Sequence, residues 1–326
     1  MSAFSIGVDL GGTNLRAAAV TSDGELLEEF RISTDIAAGR DKVAADIVAG
    51  IQEVREGHRG DKLIGVGVGV PGLILMDKGI ITTAPNLPGW EQFPLRDALE
   101  SKLGCPVLLE NDANAAALGE VWIGAGQNVD DLVLLTLGTG IGGGIISEGK
   151  VLHGYLGMAG ELGHITVEPH DGFLCGCGNH GCLEAQASAT AIARMAEEAV
   201  AAGRSPALAE LKKSRGRLGA ILVEEAVLAG DAEARRIYER MGEALGRGLA
   251  ALVNIFNFPL YLLAGGVVAG WDLFAPAMLA EVKKRSITYR QSDTRIERAK
   301  LGNRSGLFGA AYLPILHAKS FSKTAP

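Results

Sequence analysis

Short apolar runs broken by glycine turns open the chain. From Ser5 to Ile32, segments rich in Val, Ala and Leu alternate with the turns Gly11-Gly12 and Asp23-Gly24, which predicts an antiparallel meander of three strands. The layout returns from Leu132 to Leu152, where LVLLTLGTGIGGGIISEGKVL keeps the arrangement of IGVDLGGTNLRAAAVTSDGELL, with SEG in place of SDG. Such self-similarity reads as two related halves.

Between the meanders the apolar pattern predicts a helix over Lys42 to Glu56, a strand over Ile64 to Val70, a loop from Pro71 to Trp90 and a strand over Pro106 to Leu109. A helix is expected to open at Asp112. Ala187 to Ala202 and Asp231 to Phe256 are alanine-rich and amphipathic, as helices are. Tyr261 to Ala264 reads as a buried strand ending in Gly265-Gly266, and Leu307 to His317 as a closing helix. Gly203 to Arg217 shows the least order and is given no function.

Composition narrows the class. With 326 residues, 48% of them hydrophobic and only 5% aromatic, the chain is long enough for two domains of a soluble α/β protein. A net charge of -7 offers no basic stripe, so no nucleic-acid partner is expected. The start of the chain has no basic leader, and no segment reaches membrane-spanning length, so neither a signal peptide nor a membrane partner is expected. Cys175, Cys177 and Cys182 crowd together while Cys105 stands apart, which fits a reducing cytoplasm better than a disulfide framework.

Candidate chemistry begins at the glycine turns. Asp9-Leu10-Gly11-Gly12-Thr13 and Leu137-Gly138-Thr139-Gly140 each follow a strand, so their backbone N–H groups can face an anion. Neither continues as Gly-Lys-Ser/Thr and neither enters a helix, which disfavours Walker and dinucleotide loops. The alternative for either loop is a tight hairpin with no ligand. Asp9 ends an apolar strand where it could hold a hydrated Mg2+. Asp112, at a strand-to-helix junction, is the candidate general base, its plain alternative being a helix N-cap. One imidazole with Cys175, Cys177 and Cys182 would make a closed Zn2+ site, and a Cys-x-Cys pair is badly spaced for a disulfide. Chemistry alone does not choose among His153, His164, His170 and His180.

DLGGTN, GVGVPG, NLPGW, ENDANAAALGE, LGTGIGGG, GELGH and CGCGNHGCLE, in that order, resemble the signature segments of the ROK sugar kinases. The resemblance is strong from Gly7 to Glu184 and weaker beyond. It implies an α/β, actin-like, hexokinase-type (ribonuclease H-like) fold of two domains around a cleft, here divided as 1–112 plus about 305–326 and 113–304. It implies ATP, Mg2+ and structural Zn2+, with Asp112 as catalytic base. Sugar contacts are implied for Asn86, Asn111, Asp112, Glu161, His164 and Glu184, with a backbone approach by Gly69. Nucleotide contacts fall to Asp9, Gly11, Gly12, Thr13, Asn14, Gly138, Thr139, Gly140, Gly265 and Gly266. The resemblance selects His164 as the fourth zinc ligand and implies a homodimer. Glucose is the leading substrate, with N-acetylhexosamines, mannose or fructose as alternatives and polyphosphate as an alternative donor. ROK regulators carry an N-terminal helix-turn-helix segment; none precedes the first strand here, so a kinase is expected.

Overall fold

In the computed structural model, residues 3–84 and 87–323 are described, with side chains as far as 319. The first meander forms as expected: β1 (Ala3–Leu10), β2 (Asn14–Thr21) and β3 (Leu26–Ser33) pair antiparallel, because the Gly-rich and Asp-Gly turns reverse the chain. Helix α1 (Arg40–Gly57) then buries Val43, Ile47, Ile51 and Val54 on one face, the 3–4 spacing that the sequence displayed. Strand β4 (Lys62–Val70) returns parallel to β1. The expected loop from Pro71 to Trp90 instead contains a small hairpin, β5 (Leu73–Leu75) and β6 (Ile80–Thr83). After α2 (Leu95–Leu103), β7 (Val107–Asn111) adds parallel to β4, and α3 (Asp112–Ile123) follows directly. The resulting five-stranded order is β3-β2-β1-β4-β7.

The second sheet has the order β10-β9-β8-β11-β12. Its first hairpin is β8 (Leu132–Leu137) with β9 (Ile141–Ser147) and the short β10 (Lys150–Val151). A short α4 (Leu183–Ala187) precedes α5 (Ala189–Ala201), which forms where a helix over Ala187 to Ala202 is expected. The break between them is Ser188, whose hydroxyl accepts the Ala191 N–H and so starts α5 afresh. Gly203 to Arg217 is corrected by α6 (Pro206–Arg215), with Ser205 as N-cap and Pro206 at the first position. Helices α7 (Ala220–Leu228) and α8 (Ala232–Phe256), strand β11 (Leu260–Ala264), α9 (Trp271–Arg285), β12 (Arg295–Arg298) and α10 (Ser305–Lys323) complete the chain.

Two compact units result, one of residues 1–134, 144–160 and 299–326, the other of 135–143 and 161–298. In the first, α10 lies against β1, β4 and α3 so tightly that a Cβ at Gly7 or Gly67 would collide with the carbonyls of Leu307 and Ala310. Buried Glu120, at the end of α3, locks that approach: its carboxylate accepts the N–H groups of Ala125, Lys300 and Leu301 and the hydroxyl of Ser305. Thus α3, which the sequence division put at the head of the large domain, packs on α10 within the first unit. In the second, the α8–α9 pair is the largest helix contact. Among the described residues, no helix is long and apolar enough to cross a membrane.

Candidate active site

Three parallel strands of the first unit end together. The register sets Asp9 beside Gly69 and Val70 beside Asn111, so the carboxyl ends of β1, β4 and β7 carry the expected acid, glycine and amide, the usual place for a ligand in an open α/β sheet. A Cβ on Gly69 would stand 3.8 Å from the Cα of Asp112. Asn111, not Asp112, caps α3: its side-chain oxygen accepts the N–H groups of Ala113 at 2.9 Å and Asn114 at 3.2 Å, and its amide donates to the Gly72 carbonyl at 3.3 Å. Asp112 is the first helical residue and accepts the Ala113 N–H at 2.9 Å. Desolvation, and then the charge of Asp112, push the Asp9 carboxyl up to about 6 against the opposing pull of Arg16. Arg16 is held by the Asn303 carbonyl at 2.7 Å. A Cβ on Gly306, at the head of α10, would lie 3.1 Å from Asp9, a neighbour that sequence reasoning missed because nothing local announces it.

The first glycine turn leaves Gly12 and Thr13 exposed, while Gly11 donates to the Asn14 carbonyl at 2.9 Å and accepts the Thr34 hydroxyl at 2.9 Å. Asn14 is steadied through its side-chain oxygen by Arg31 at 3.0 and 3.2 Å. Asn86 lies outside the described residues.

In the second unit, Gly138 to Gly140 fold into a tight turn, with the Gly138 N–H on the Gly140 carbonyl at 2.9 Å. The start of α5 braces it: Ala189 donates to the Gly138 carbonyl at 2.9 Å, and the Thr190 hydroxyl donates to that of Thr139 at 2.7 Å. Gly265, at φ +93°, passes so close to the Leu137 backbone that no side chain fits there. Gly138, Thr139 and Gly266 line one cavity of about 530 Å3, with Val267, Ala189 and residues drawn from the stretch between Arg215 and Leu222. That stretch supplies two cations, Arg215 and Arg217, and the apolar Ile221 and Leu222. Sequence reading overlooked both arginines because they sit in the segment given no function.

The same unit gathers His164, Cys175, Cys177 and Cys182, whose donor atoms all lie within 4.8 Å of one another. Cys175 Sγ is 3.6 Å from His164 Nδ1, and the Cys177 and Cys182 sulfurs are 3.6 Å apart. A tetrahedron with Zn–S of about 2.3 Å and Zn–N of about 2.0–2.1 Å has edges of roughly 3.5–3.8 Å, so the set fits the ion. Desolvation and the two neighbouring cysteines push the Cys182 thiol up to about 12, while a backbone hydrogen bond from Asn179 lowers Cys177. His180 instead bonds the Gly172 carbonyl and His153 bonds Glu110. Glu184 accepts the Ile141 N–H at 2.9 Å and lies 3.7 Å from Cys175, linking the glycine turn to the cluster. Glu161 stands 3.9 Å from the other nitrogen of His164 and is held above the usual carboxylate range, chiefly by desolvation.

The sequence model of the ROK family matches residues 5–316. The chain belongs to the ROK family. It is similar to two glucokinases, that of Halalkalibacterium halodurans, 40% identical over 98% of this chain and 97% of that one, and that of Thermotoga maritima, 43% identical over 83% and 84%. Among solved structures it is similar to a ROK family glucokinase from Streptomyces griseus in complex with glucose and AMPPNP, with a TM-score of 0.81, 36% identity and coverage of 95% and 98%. The fold is therefore the two-domain, actin-like fold of ROK hexokinases.

Proposed function

We propose that this ROK protein is an ATP-dependent glucokinase that phosphorylates the 6-hydroxyl of glucose with Asp112 as general base. The observation that carries the catalytic role is the division of labour at the head of α3: Asn111 takes the cap, so Asp112 is not needed for it. Its carboxylate stands at the strand ends with Asp9, where an acceptor for the hydroxyl proton is required. The glucokinase relatives, and the glucose and AMPPNP held by the S. griseus enzyme, support this sugar and this donor.

The cavity beside Gly138 suits the nucleotide. Val267, Ile221 and Leu222 offer apolar walls for a purine, which a bare polyphosphate would leave unused, and Arg215 and Arg217 offer charge for phosphates. Asp9, whose carboxyl is raised by desolvation and then by the charge of Asp112, fits a site completed by a cation, and Mg2+ would neutralise charge on the phosphates there. Gly69, Asn111, Glu161, His164 and Glu184 are the proposed sugar-site residues, since amides and carboxylates match hydroxyl edges. Zn2+ on His164, Cys175, Cys177 and Cys182 would fix the loop that carries them. A cytoplasmic setting, which keeps those thiols reduced, and a homodimer belong to the same reading.

Asp112→Asn tests it. Turnover is expected to fall by about 10²- to 10⁴-fold while glucose affinity, read by calorimetry, stays near that of the wild type. Turnover near the wild-type level would remove Asp112 from the mechanism.

A further inference from the structure

The proposed function leaves Glu110 and His153 unassigned, although both belong to the first unit beside the proposed base. Glu110, the penultimate residue of β7, stands two residues before Asp112 and is 2% exposed. A carboxylate so placed has to find its donors in the protein. One oxygen accepts the Asn111 N–H at 2.9 Å and the Asn114 side-chain amide at 3.0 Å. The other lies 2.7 Å from Nε2 of His153, which arrives in the stretch after β10. Glu110 thus clamps together the end of β7, the first turn of α3 and the segment that begins at His153.

Charge points the same way. The strand ends carry three carboxylates, Asp9, Glu110 and Asp112; Arg16 acts on Asp9, and His153 meets Glu110. The hydrogen bond to Glu110 holds the imidazole above its ordinary range, favouring the cation that this crowd of acids calls for.

We infer that His153 is a positioning residue for phosphoryl transfer: bound to Glu110, it fixes the β7–α3 junction and through it the direction of the Asp112 carboxylate. The inference rests on the kinase reading. Without the imidazole, one Glu110 oxygen is left buried and unpaired, and the bonds that hold Asn111 and Asn114 lose their anchor. A displacement of about 1 Å in a general base can cost on the order of 100-fold.

The test is a double-mutant cycle with His153→Ala and Asp112→Asn, with His153→Gln alongside, in which kcat, both KM values and Tm are measured. In the wild-type background His153→Ala is expected to lower kcat by about 10- to 100-fold with the ATP KM unchanged. His153→Gln, whose amide can donate to Glu110, should recover most of that loss. In the Asp112→Asn background, His153→Ala should add little, because a residue that acts only by aiming the base has nothing left to aim. An unchanged kcat in His153→Ala, or an equal loss in both backgrounds, overturns the inference. Should His153→Ala not fold, His153→Asn, whose shorter amide falls short of Glu110, takes its place in the cycle. Wild-type turnover in the same series separates the two readings: an inactive wild type speaks against the kinase, an active one with an indifferent His153→Ala against the positioning role alone.

Discussion

Asp9 sits where desolvation and a second carboxylate both oppose its charge, so in the ligand-free protein it works against stability for the sake of chemistry. A carboxyl at about 6 when folded and at its ordinary 3.8 when unfolded penalises the folded state above pH 6. The penalty is on the order of 3 kcal/mol at most, since part of the group still meets solvent. It fades as pH falls through the folded value and is about halved by pH 5. Asp9→Asn is therefore expected to resist urea better than the wild type at pH 8 without magnesium or nucleotide, and the advantage should shrink at pH 5. No gain at pH 8 would contradict the electrostatic reading of this site. Two residues along the other strand end, the same economy of roles is visible in Asn111 and Asp112, where an amide does the capping and an acid is kept for the reaction.

At the scale of elements, the loop from Glu161 to Glu184 is anchored near its ends by buried Leu162 and Leu183. Cys175, Cys182 and Ala185 form a small buried cluster with Phe173 against them. A metal at the sulfurs would add cohesion, and structural zinc contributes about 10–16 kcal/mol in small peptides. Cys177→Ser is expected to lose zinc and kinase activity together, as read by metal analysis and turnover on one preparation; a zinc-free variant with full activity would refute the structural role. The Cys-x-Cys spacing made the sulfurs of this cluster legible in the sequence and the family resemblance picked out His164 beside them, whereas only the folded chain sends His153 to Glu110. Strands β1 to β3 were equally legible, because alternation and turn residues agree. The β5–β6 hairpin was not, its strands being three and four residues long and set among Pro and Gly. Helix α6 announced itself through Ser205-Pro206, yet the flanking Gly203 and Gly216 hid it, and with it went Arg215 and Arg217. Gly306 and the Glu110 clamp join residues far apart in the chain, which no local pattern encodes.

Across the whole molecule, the two Gly-turn hairpins that repeat in the sequence fall in two five-stranded sheets, and each compact unit carries its own share of the chemistry. The first holds the acids Asp9, Glu110 and Asp112; the second holds the cavity beside Gly138 and the sulfur cluster. Such a division suits a kinase, in which one set of groups handles the hydroxyl proton and another the donor. The central claim is tested most directly by ADP release from Mg-ATP on zinc-replete protein, comparing kcat/KM for glucose, mannose, fructose, N-acetylglucosamine and N-acetylmannosamine. Glucose is expected to lead by about tenfold or more, because buried polar groups left unpaired by a wrong sugar weaken its transition state. ADP release that no sugar accelerates would contradict the kinase, and a lead for an N-acetylated sugar would contradict glucose as its substrate.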